Sequence, residues 1–558
     1  MSFFTRFLYR FRKHPLLRTV SVAGTAALFV YAFFFLSTSR QRPPVLTEIQ
    51  PVVGEPGDII TLSGKNFGSK KEPDSYVEIG GGKLTSSSYI LWTDTLIKAV
   101  LPYNIEDGLV YVSTKNGRSD AEIFANRQTI PVPVTHNPRT ALPLIETLSK
   151  KPMYVGTLIT IKGNHFGTLR GNSRVLFTSG YTAAEQENML IPCSDFDMDY
   201  HFWSDTELQV RIPDGALSGQ IYVETPYGKS NGYAYTLAEG AGSKTYSDVR
   251  TYSVKLSADI SDIQAETNAT LTLFIPMPQL TAAQKTLEII GSNPEPSISN
   301  YMNTLIHQVI LNEAVGKKLN FSHNFVLSVY RIQSNIQAHK VKAYSEDTKK
   351  LYAQYLKNNS LIPSHNQRAK ELAVSIVKKE KNPWLQAKLI YEWLTANIAI
   401  LPNVQADNTD ILKTLSAKKA DAHDFAVLYT TLLRTAGIPA LTNSGILVDS
   451  EMHSRNHWWC EFYIEGIGWI PADPALGAGL PYKAFQNHES PADFYFGNLD
   501  AQHITFSRGW NNIKPAHITG KKVYRPKSYA LQSIWEETTA GAVKYSSYWQ
   551  DAVVTGVY

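Results

Sequence analysis

The stretch KKADAHDFAVLYTTLLRTAGIPA, residues 418–440, decides the fold of the C-terminal half of this chain. Its apolar side chains recur at helical spacing, at Phe425, Leu428 and Leu432. Gly437, followed by Ile438 and Pro439, is a typical helix stop. The pattern predicts a helix over about 422–436 with one buried face.

A second stretch, NHWWCEFYIEGIGWIPADP, residues 456–474, lies close behind this helix. Two apolar segments flank Glu465 and Gly466, which favour a turn. We interpret the segments as two strands of a meander. Helices followed by a meander are typical of the α+β class.

Together the two stretches closely resemble the core of transglutaminase-like (papain-like) domains, whose first motif is Gly-x-Cys-x-Asp-Phe-Ala. The matching residues are Asp424, Phe425, Ala426, Arg434, Gly437, Ile438, Pro439, Ala440, His457, Trp459, Glu461, Gly468, Trp469, Asp473 and Pro474. The resemblance implies that His457 is the catalytic base and Asp473 its orienting acid. The cysteine nucleophile belongs two positions before Asp424, where this chain has Ala422.

The nucleophile position therefore holds a methyl group, which cannot attack a carbonyl carbon. Cys460 lies three residues from His457, so strand alternation predicts that it faces away from the cleft. Cys193 lies in another part of the chain. We expect a vestigial triad of Ala422, His457 and Asp473, hence a pseudoenzyme. The alternatives are an active peptidase or acyl-transferase with an unrecognised nucleophile, and an engineered or erroneous alanine.

Other residues of this region are candidates for binding. Asp424, Trp459 and Trp469 could line the cleft. The simpler interpretation makes the two tryptophans core residues and places Asp424 at the first helical turn, where the helix dipole favours an acid. A metal site could be imagined from Asp449, Glu451, His453 and His457, but the four-residue histidine spacing suits a helix and not this stretch. We expect no metal and no cofactor.

An internal repeat dominates the first half of the chain. The first copy has Gly57, Ile60, Thr61, Leu62, Gly64, Phe67 and Gly68, and the same pattern recurs 99 residues later. A second block beginning at Trp92 recurs 111 residues later, so the second copy holds an insertion of 12 residues, which we place in GYTAAEQENMLIPCSDFDMDY. Short alternating strands between turn residues predict β-sandwiches. Both copies, over about 44–132 and 141–237, resemble immunoglobulin-like IPT/TIG modules.

Residues 239–558 divide into three parts. Residues 239–343 are β-rich and predict a third immunoglobulin-like domain, in which LTAAQKTLEIIG could form a short helix. The transglutaminase-like domain is predicted over 345–526, with Asn382 capping a helix that begins at Pro383. Residues 527–558 form an aromatic-rich C-terminal tail, which the sequence leaves either packed on the core or docked elsewhere.

The N-terminus predicts a membrane anchor. Residues 1–18 carry five basic residues and no acid, which accounts for the whole formal net charge of +5. An uncharged run of 21 residues follows, from Thr19 to Ser39, and as a helix it would span roughly 31 Å, a bilayer core. The positive-inside rule keeps 1–18 in the cytoplasm. A cleaved signal peptide is the alternative.

The sequence thus predicts a multidomain protein. It has an N-terminal transmembrane helix, tandem all-β immunoglobulin-like sandwiches, and an α+β transglutaminase-like domain. Beyond residue 18 the charges sum to zero, which argues against a nucleic-acid partner. We expect an inner-membrane, single-pass protein with its bulk in the periplasm, binding a protein or cell-wall peptide or belonging to an envelope assembly.

Overall fold

The computed structural model describes Pro15 and residues 42–558, except 103–104, 128–141, 150–151, 183–186, 267–268, 407–409 and 518. The predicted anchor from Thr19 to Ser39 lies outside the described residues. Within the part that is described, no helix is both long and apolar enough to cross a membrane. The chain divides into two compact units, Met1–Asn126 and Arg127–Tyr558.

The first repeat is a two-sheet β-sandwich. Its strands are β1 (Val45–Gln50), β2 (Val53–Gly54), β3 (Ile59–Lys65), β4 (Tyr76–Ile79), β5 (Gly82–Lys83), β6 (Tyr89–Trp92), β7 (Leu96–Val100), β8 (Gly108–Thr114), β9 (Gly117–Arg118) and β10 (Glu122–Asn126). One sheet has the order β1-β3-β7-β6 and the other β2-β10-β8-β4-β5, with β9 beside β8. Trp92 is buried between them and donates its indole N–H to the carbonyl of Phe67 at 2.9 Å.

The second repeat copies this architecture. Its strands are β11 (Leu144–Leu148), β12 (Leu158–Asn164), β13 (Arg174–Thr182), β14 (Glu187–Pro192), β15 (Tyr200–Trp203), β16 (Glu207–Arg211), β17 (Gly219–Thr225), β18 (Gly228–Lys229) and β19 (Tyr233–Tyr235). The order β11-β12-β16-β15 repeats that of the first sheet. Trp203 donates to the carbonyl of Phe166 at 3.2 Å, as Trp92 does to Phe67.

A close strand approach explains one glycine of the repeated motif. A Cβ atom at Gly64 would lie 2.0 Å from the carbonyl oxygen of Val45, and one at Gly163 would lie 1.9 Å from that of Leu144. Any larger residue would push the neighbouring strand away. The glycine therefore recurs because both repeats have the same close approach between two strands.

The third β-region is a sandwich of long strands. It begins with β20 (Gly242–Ala265), β21 (Thr270–Pro276), β22 (Gln284–Asn293), β23 (Ile298–Tyr301), β24 (Thr304–Ile310) and β25 (Leu319–Ile336). The helix predicted in LTAAQKTLEIIG is wrong, because from Gln284 onward this stretch is strand β22, paired with β25. Ladder hydrogen bonds to a long neighbouring strand outweigh the weak helical preference of a short segment.

The transglutaminase-like region forms a helical layer on a four-stranded sheet. Its elements are α1 (Glu346–Leu351), α2 (Gln367–Val377), α3 (Pro383–Asn397), β26 (Ala399–Ile400), α4 (Ile411–Ala417), β27 (Lys419–Ala420), α5 (Ala422–Thr435), β28 (Ala440–Val448), β29 (Ser454–Ile464), β30 (Gly468–Ala472), α6 (Pro474–Gly477), α7 (Pro491–Phe494) and β31 (His503–Arg508). The sheet order is β30-β29-β28-β31. The predicted cap is confirmed, since the Asn382 side chain accepts from the amides of Trp384 and Leu385.

The last residues complete the third sandwich and are not a tail. They form β32 (Lys522–Val523), β33 (Glu536–Thr538), β34 (Ala542–Trp549) and β35 (Val553–Val557). Strand β33 pairs with β21, while β34 and β35 pair with β20. Trp535 and Trp549 are buried, and their rings pack edge to face with centroids 5.2 Å apart. The α+β region is therefore inserted between the early and late strands of one sandwich.

The insertion in the second repeat docks on the transglutaminase-like sheet. Asp197 accepts two hydrogen bonds from Arg508, at 3.1 and 3.2 Å, and Arg508 also donates to Glu461 at 2.9 Å. These side chains are 12%, 5% and 14% exposed. Close by, Asp214 pairs with Lys244 and accepts from the amide of Trp469 at 3.1 Å.

Replacing Asp197 by alanine should destabilise the protein by about 3 kcal/mol, because it leaves a buried guanidinium with one carboxylate instead of two. Chemical denaturation measures the change. Asp195→Ala is the matched control, since Asp195 is 62% exposed and pairs with Arg170 at the surface, where such pairs contribute little. Equal stability of the two variants would contradict the prediction.

Candidate functional site

The N-terminus of helix α5 carries Ala422, the position where the resemblance expects the nucleophile. Asp421 is the N-cap, and its Oδ1 accepts from the amide of Asp424 at 2.9 Å. This satisfies one of the amides that a helix start leaves without an intrahelical partner. Ala422 is the first helical residue and is 5% exposed. The helix thus begins where a nucleophile would stand, with a methyl group there.

His457 and Asp473 form a buried pair. His457 lies on β29 and Asp473 directly after β30, with Nε2 and Oδ2 at 2.5 Å and neither side chain more than 1% exposed. The other oxygen of Asp473 caps α6, accepting from the amides of Ala475 and Leu476. Burial lowers the pKa of His457, although the Asp473 carboxylate acts in the opposite direction. Among the described residues, Nδ1 of His457 has no hydrogen-bond partner.

His503 extends this pair into a network that the sequence analysis missed. Its Nε2 lies 3.0 Å from Oδ2 of Asp473 and its Nδ1 2.8 Å from Oδ1 of Asp500. Asp500 in turn accepts from the hydroxyl of Tyr495 at 2.8 Å. Asp500, three residues before His503, was visible in the sequence, but the contact between His503 and Asp473 joins residues that are 30 positions apart.

The network holds one positive charge between two carboxylates. Burial alone would lower the pKa of His503, but the Asp500 and Asp473 carboxylates raise it to about 9. Burial acts to raise the pKa of Asp473, and the imidazoles of His457 and His503 outweigh it and lower the pKa. His503 is therefore protonated at neutral pH, and both of its ring N–H groups donate to carboxylates.

Both cysteines of the chain are buried. As strand alternation predicts, Cys460 and His457 lie on opposite faces of β29, and the Cys460 thiol donates to the carbonyl of Ala426 on α5 at 3.2 Å. Cys193 lies in the second repeat, with its thiol 3.5 Å from the carbonyl of Arg211. Burial raises the pKa of both thiols. A thiol that stays protonated is a poor nucleophile.

The three predicted cleft residues are largely enclosed. Trp459 is 1% exposed, and its ring lies nearly parallel to the imidazole of His457, with the ring centroids 6.3 Å apart. Trp469 is 3% exposed and makes edge-to-face contacts with Tyr352, Tyr355 and Tyr463. Neither indole offers an open face to a ligand in this structure. Asp424 is 16% exposed and binds the Lys527 ammonium at 3.2 Å.

Three side-chain clusters in the described part have donor atoms close enough for a metal ion: Asp421, His423 and Asp424; His457, Asp473 and His503; and Asp449, Glu451 and His453. In the first, the Lys527 ammonium already lies against both carboxylates. In the second, His503 supplies the positive charge. In the third, Lys483 pairs with Glu451 at 2.6 Å. A cation of the protein thus already lies in or against each cluster. The metal alternative required His457 to join Asp449, Glu451 and His453, but His457 belongs to the second cluster.

Two family models match the chain. The IPT/TIG domain matches residues 44–129, and the transglutaminase-like superfamily matches residues 370–474. The first match covers the first repeat, and the second covers α2 to β30 and ends just after Asp473. Both matches fall where the sequence motifs predicted them.

Individual relatives align over parts of the chain. An uncharacterized protein of Haemophilus influenzae is 27% identical over 168 residues, 25% of this chain and 45% of that protein. A cyclomaltodextrin glucanotransferase of Paenibacillus macerans is 32% identical over 99 residues, 18% of this chain and 12% of the enzyme. The chain thus spans less than half of the length of either relative. The activities of those whole proteins are not transferred to it.

Among solved structures, the periplasmic domain of TgpA from Pseudomonas aeruginosa, in its ethylmercury complex, is 15% identical. The match covers 39% of this chain and 89% of that one, with a TM-score of 0.23. The assignment therefore rests on the two family models, on the motifs and on the geometry of α5, β29 and β30. The chain contains a transglutaminase-like domain and, before it, an IPT/TIG domain.

Proposed function

We propose that this chain is a membrane-anchored extracytoplasmic protein whose transglutaminase-like domain is non-catalytic and serves binding or scaffolding. The observation that carries the proposal is Ala422 at the start of α5, where this type of site needs its nucleophile. Acyl transfer through a covalent intermediate begins with attack by that side chain. A methyl group has no lone pair with which to attack.

The surrounding residues support a structural role for what is left of the triad. His457 and Asp473 are fully buried, and Asp473 also caps α6 and binds the charged His503. These contacts tie β29, α6 and β31 together. Such a network fixes the positions of strands and gives both residues a role that needs no catalysis.

The anchor and location rest on the sequence. A basic segment precedes the uncharged run from Thr19 to Ser39, which favours a cytoplasmic N-terminus with the remaining chain across the membrane. In the chain, the first two immunoglobulin-like modules lie between this run and the transglutaminase-like domain. Its partner would be a protein or a cell-wall peptide, in keeping with a component of an envelope assembly.

The full chain, expressed in a Gram-negative host and fractionated, tests the proposal. We expect it in the membrane fraction, released by detergent, with amine incorporation and peptide hydrolysis no higher than in buffer. We also expect it to sediment with purified peptidoglycan or with a membrane protein, equally for the unchanged chain and for His457→Gln. Turnover that disappears in His457→Gln would show an active site and sink the pseudoenzyme interpretation. A soluble, N-terminally processed chain would overturn the anchor.

A further inference from the structure

A lysine from the far end of the chain lies against the start of helix α5. The Nζ atom of Lys527 is 2.8 Å from Oδ2 of Asp421 and 3.2 Å from Oδ1 of Asp424. Its side chain is 7% exposed and that of Asp421 is fully buried. These two acids lie on either side of Ala422 in sequence, so the ammonium is bound at the first turn of α5, the turn that begins with Ala422.

The segment that carries this lysine is firmly held. We call residues 527–531 the Lys527 segment. The carbonyl of Ser528 accepts from the hydroxyl of Ser444 on β28 at 2.9 Å, and the amide of Leu531 donates to the hydroxyl of Ser507 on β31 at 3.0 Å. Tyr529 is 1% exposed and packs edge to face on Phe506. The segment is thus bonded to the sheet that carries the former site.

The Lys527 segment also joins two hydrophobic cores. Leu531 belongs to the core of the transglutaminase-like region, whereas Tyr529 and Ala530 belong to that of the third sandwich. Strands β31 and β32 precede the segment and β33 follows it. Moving the segment off α5 would therefore expose apolar surface in both cores.

The charges at α5 hold the lysine in place as well. Asp421 uses its oxygens on the amides of Asp424 and Gln405 in addition to Lys527. Without the ammonium, two nearby carboxylates would share a largely buried site, which is costly. Lys527 thus neutralises one of them where an active relative would need open space for substrate.

We infer that the Lys527 segment permanently seals the former active-site pocket, so that the binding function proposed above does not use the old substrate cleft. This inference rests on the proposed function, because it concerns where such a domain binds. Because the Lys527 segment leads into β33, the late strands of the third sandwich help to hold the site closed. A partner must then bind another surface of the protein.

Thiol accessibility at position 422 in the full chain tests the seal. We would measure the rate at which iodoacetamide alkylates Ala422→Cys and Ala422→Cys/Lys527→Ala. The rates would be measured over a range of pH, because the pH profile gives the thiol pKa and its plateau gives the rate of the thiolate, which reports access to the sulfur. The unchanged chain, whose two cysteines are buried, is the blank. Ala422→Cys/Lys419→Ala is the matched control, because Lys419 is an exposed lysine three residues from position 422.

We expect the thiol of Ala422→Cys to react about 100-fold more slowly than the same thiol in denaturant, since it is reached only through local opening. Removing Lys527 should accelerate it about 10-fold, and removing Lys419 should leave it unchanged. A rate for Ala422→Cys close to the denatured rate would overturn the seal, and this single variant decides the question even if the double variant does not fold. Turnover by the unchanged chain would overturn the proposed function without changing these thiol rates.

Discussion

Deleting residues 533–558 should leave unit Arg127–Tyr558 without a stable fold. The deletion removes β33, β34 and β35, which pair with β21 and β20 in the two sheets of the third sandwich. It also removes Trp535 and Trp549, and losing a buried tryptophan side chain costs about 3–5 kcal/mol. Two such losses amount to about 6–10 kcal/mol, which is comparable to the total stability of about 5–15 kcal/mol that is usual for domains.

Soluble expression and thermal unfolding followed by near-ultraviolet circular dichroism would measure the effect. We expect aggregation, or a soluble chain without a cooperative transition. The control is a deletion of residues 1–126, which removes a compact unit of its own and should leave the remaining unit with its transition. If the chain lacking 533–558 melted cooperatively within a few degrees of the full chain, residues 533–558 would be dispensable for folding, which would contradict the prediction.

Replacing His503 by glutamine should be the most destabilising single substitution in the site. It leaves Asp473 and Asp500 buried without the cation between them. Removing one partner of a buried charge pair lowers the free energy of unfolding by about 3–5 kcal/mol. His453→Gln is the matched control, because the side chain of His453 is 75% exposed and pairs with Asp449 at the surface; it should leave the free energy of unfolding unchanged within error.

The pH dependence of this effect distinguishes charge from shape. The pKa of His503 is raised from 6.5 to about 9 in the folded protein, which corresponds to about 3 kcal/mol of stabilisation. A raised pKa gives stability that is complete below pH 6.5 and is lost as the pH rises through about 9. The difference in unfolding free energy between the unchanged chain and His503→Gln should therefore shrink between about pH 6 and pH 10.

Denaturant titrations at several pH values would measure that difference. A difference that stays constant over this range would mean that His503 contributes packing and neutral hydrogen bonds only. A difference near zero at all pH values would contradict the buried ionic network itself.

Local patterns were enough for several features. The repeated glycines, the alternation of short strands, the Asn382 cap and the helix from Ala422 onward are all encoded within a few residues. Backbone sterics, capping and periodic burial act over the same short distances. The absence of a thiol at 422 is likewise a fact of the sequence alone.

Where local preference was weak, the sequence misled. The stretch from Gln284 has no strong helix signal and became strand β22 because β25 lies beside it. The aromatic residues after 527 showed that this part would be buried, but not against what. Trp535 and Trp549 pack inside a sandwich whose first strands lie more than 200 residues earlier.

The sequence by itself determined that this protein carries repeated β-sandwiches and a transglutaminase-like core, with alanine at position 422. Only the tertiary structure decided that His503 supplies the charge beside Asp473, that Asp197 holds Arg508, and that Lys527 lies over the start of α5. Lys527 and Asp421 are 106 residues apart, and Asp197 and Arg508 are 311 apart. Pairings of that kind depend on which surfaces meet when the cores form, and no local spacing in the chain records them.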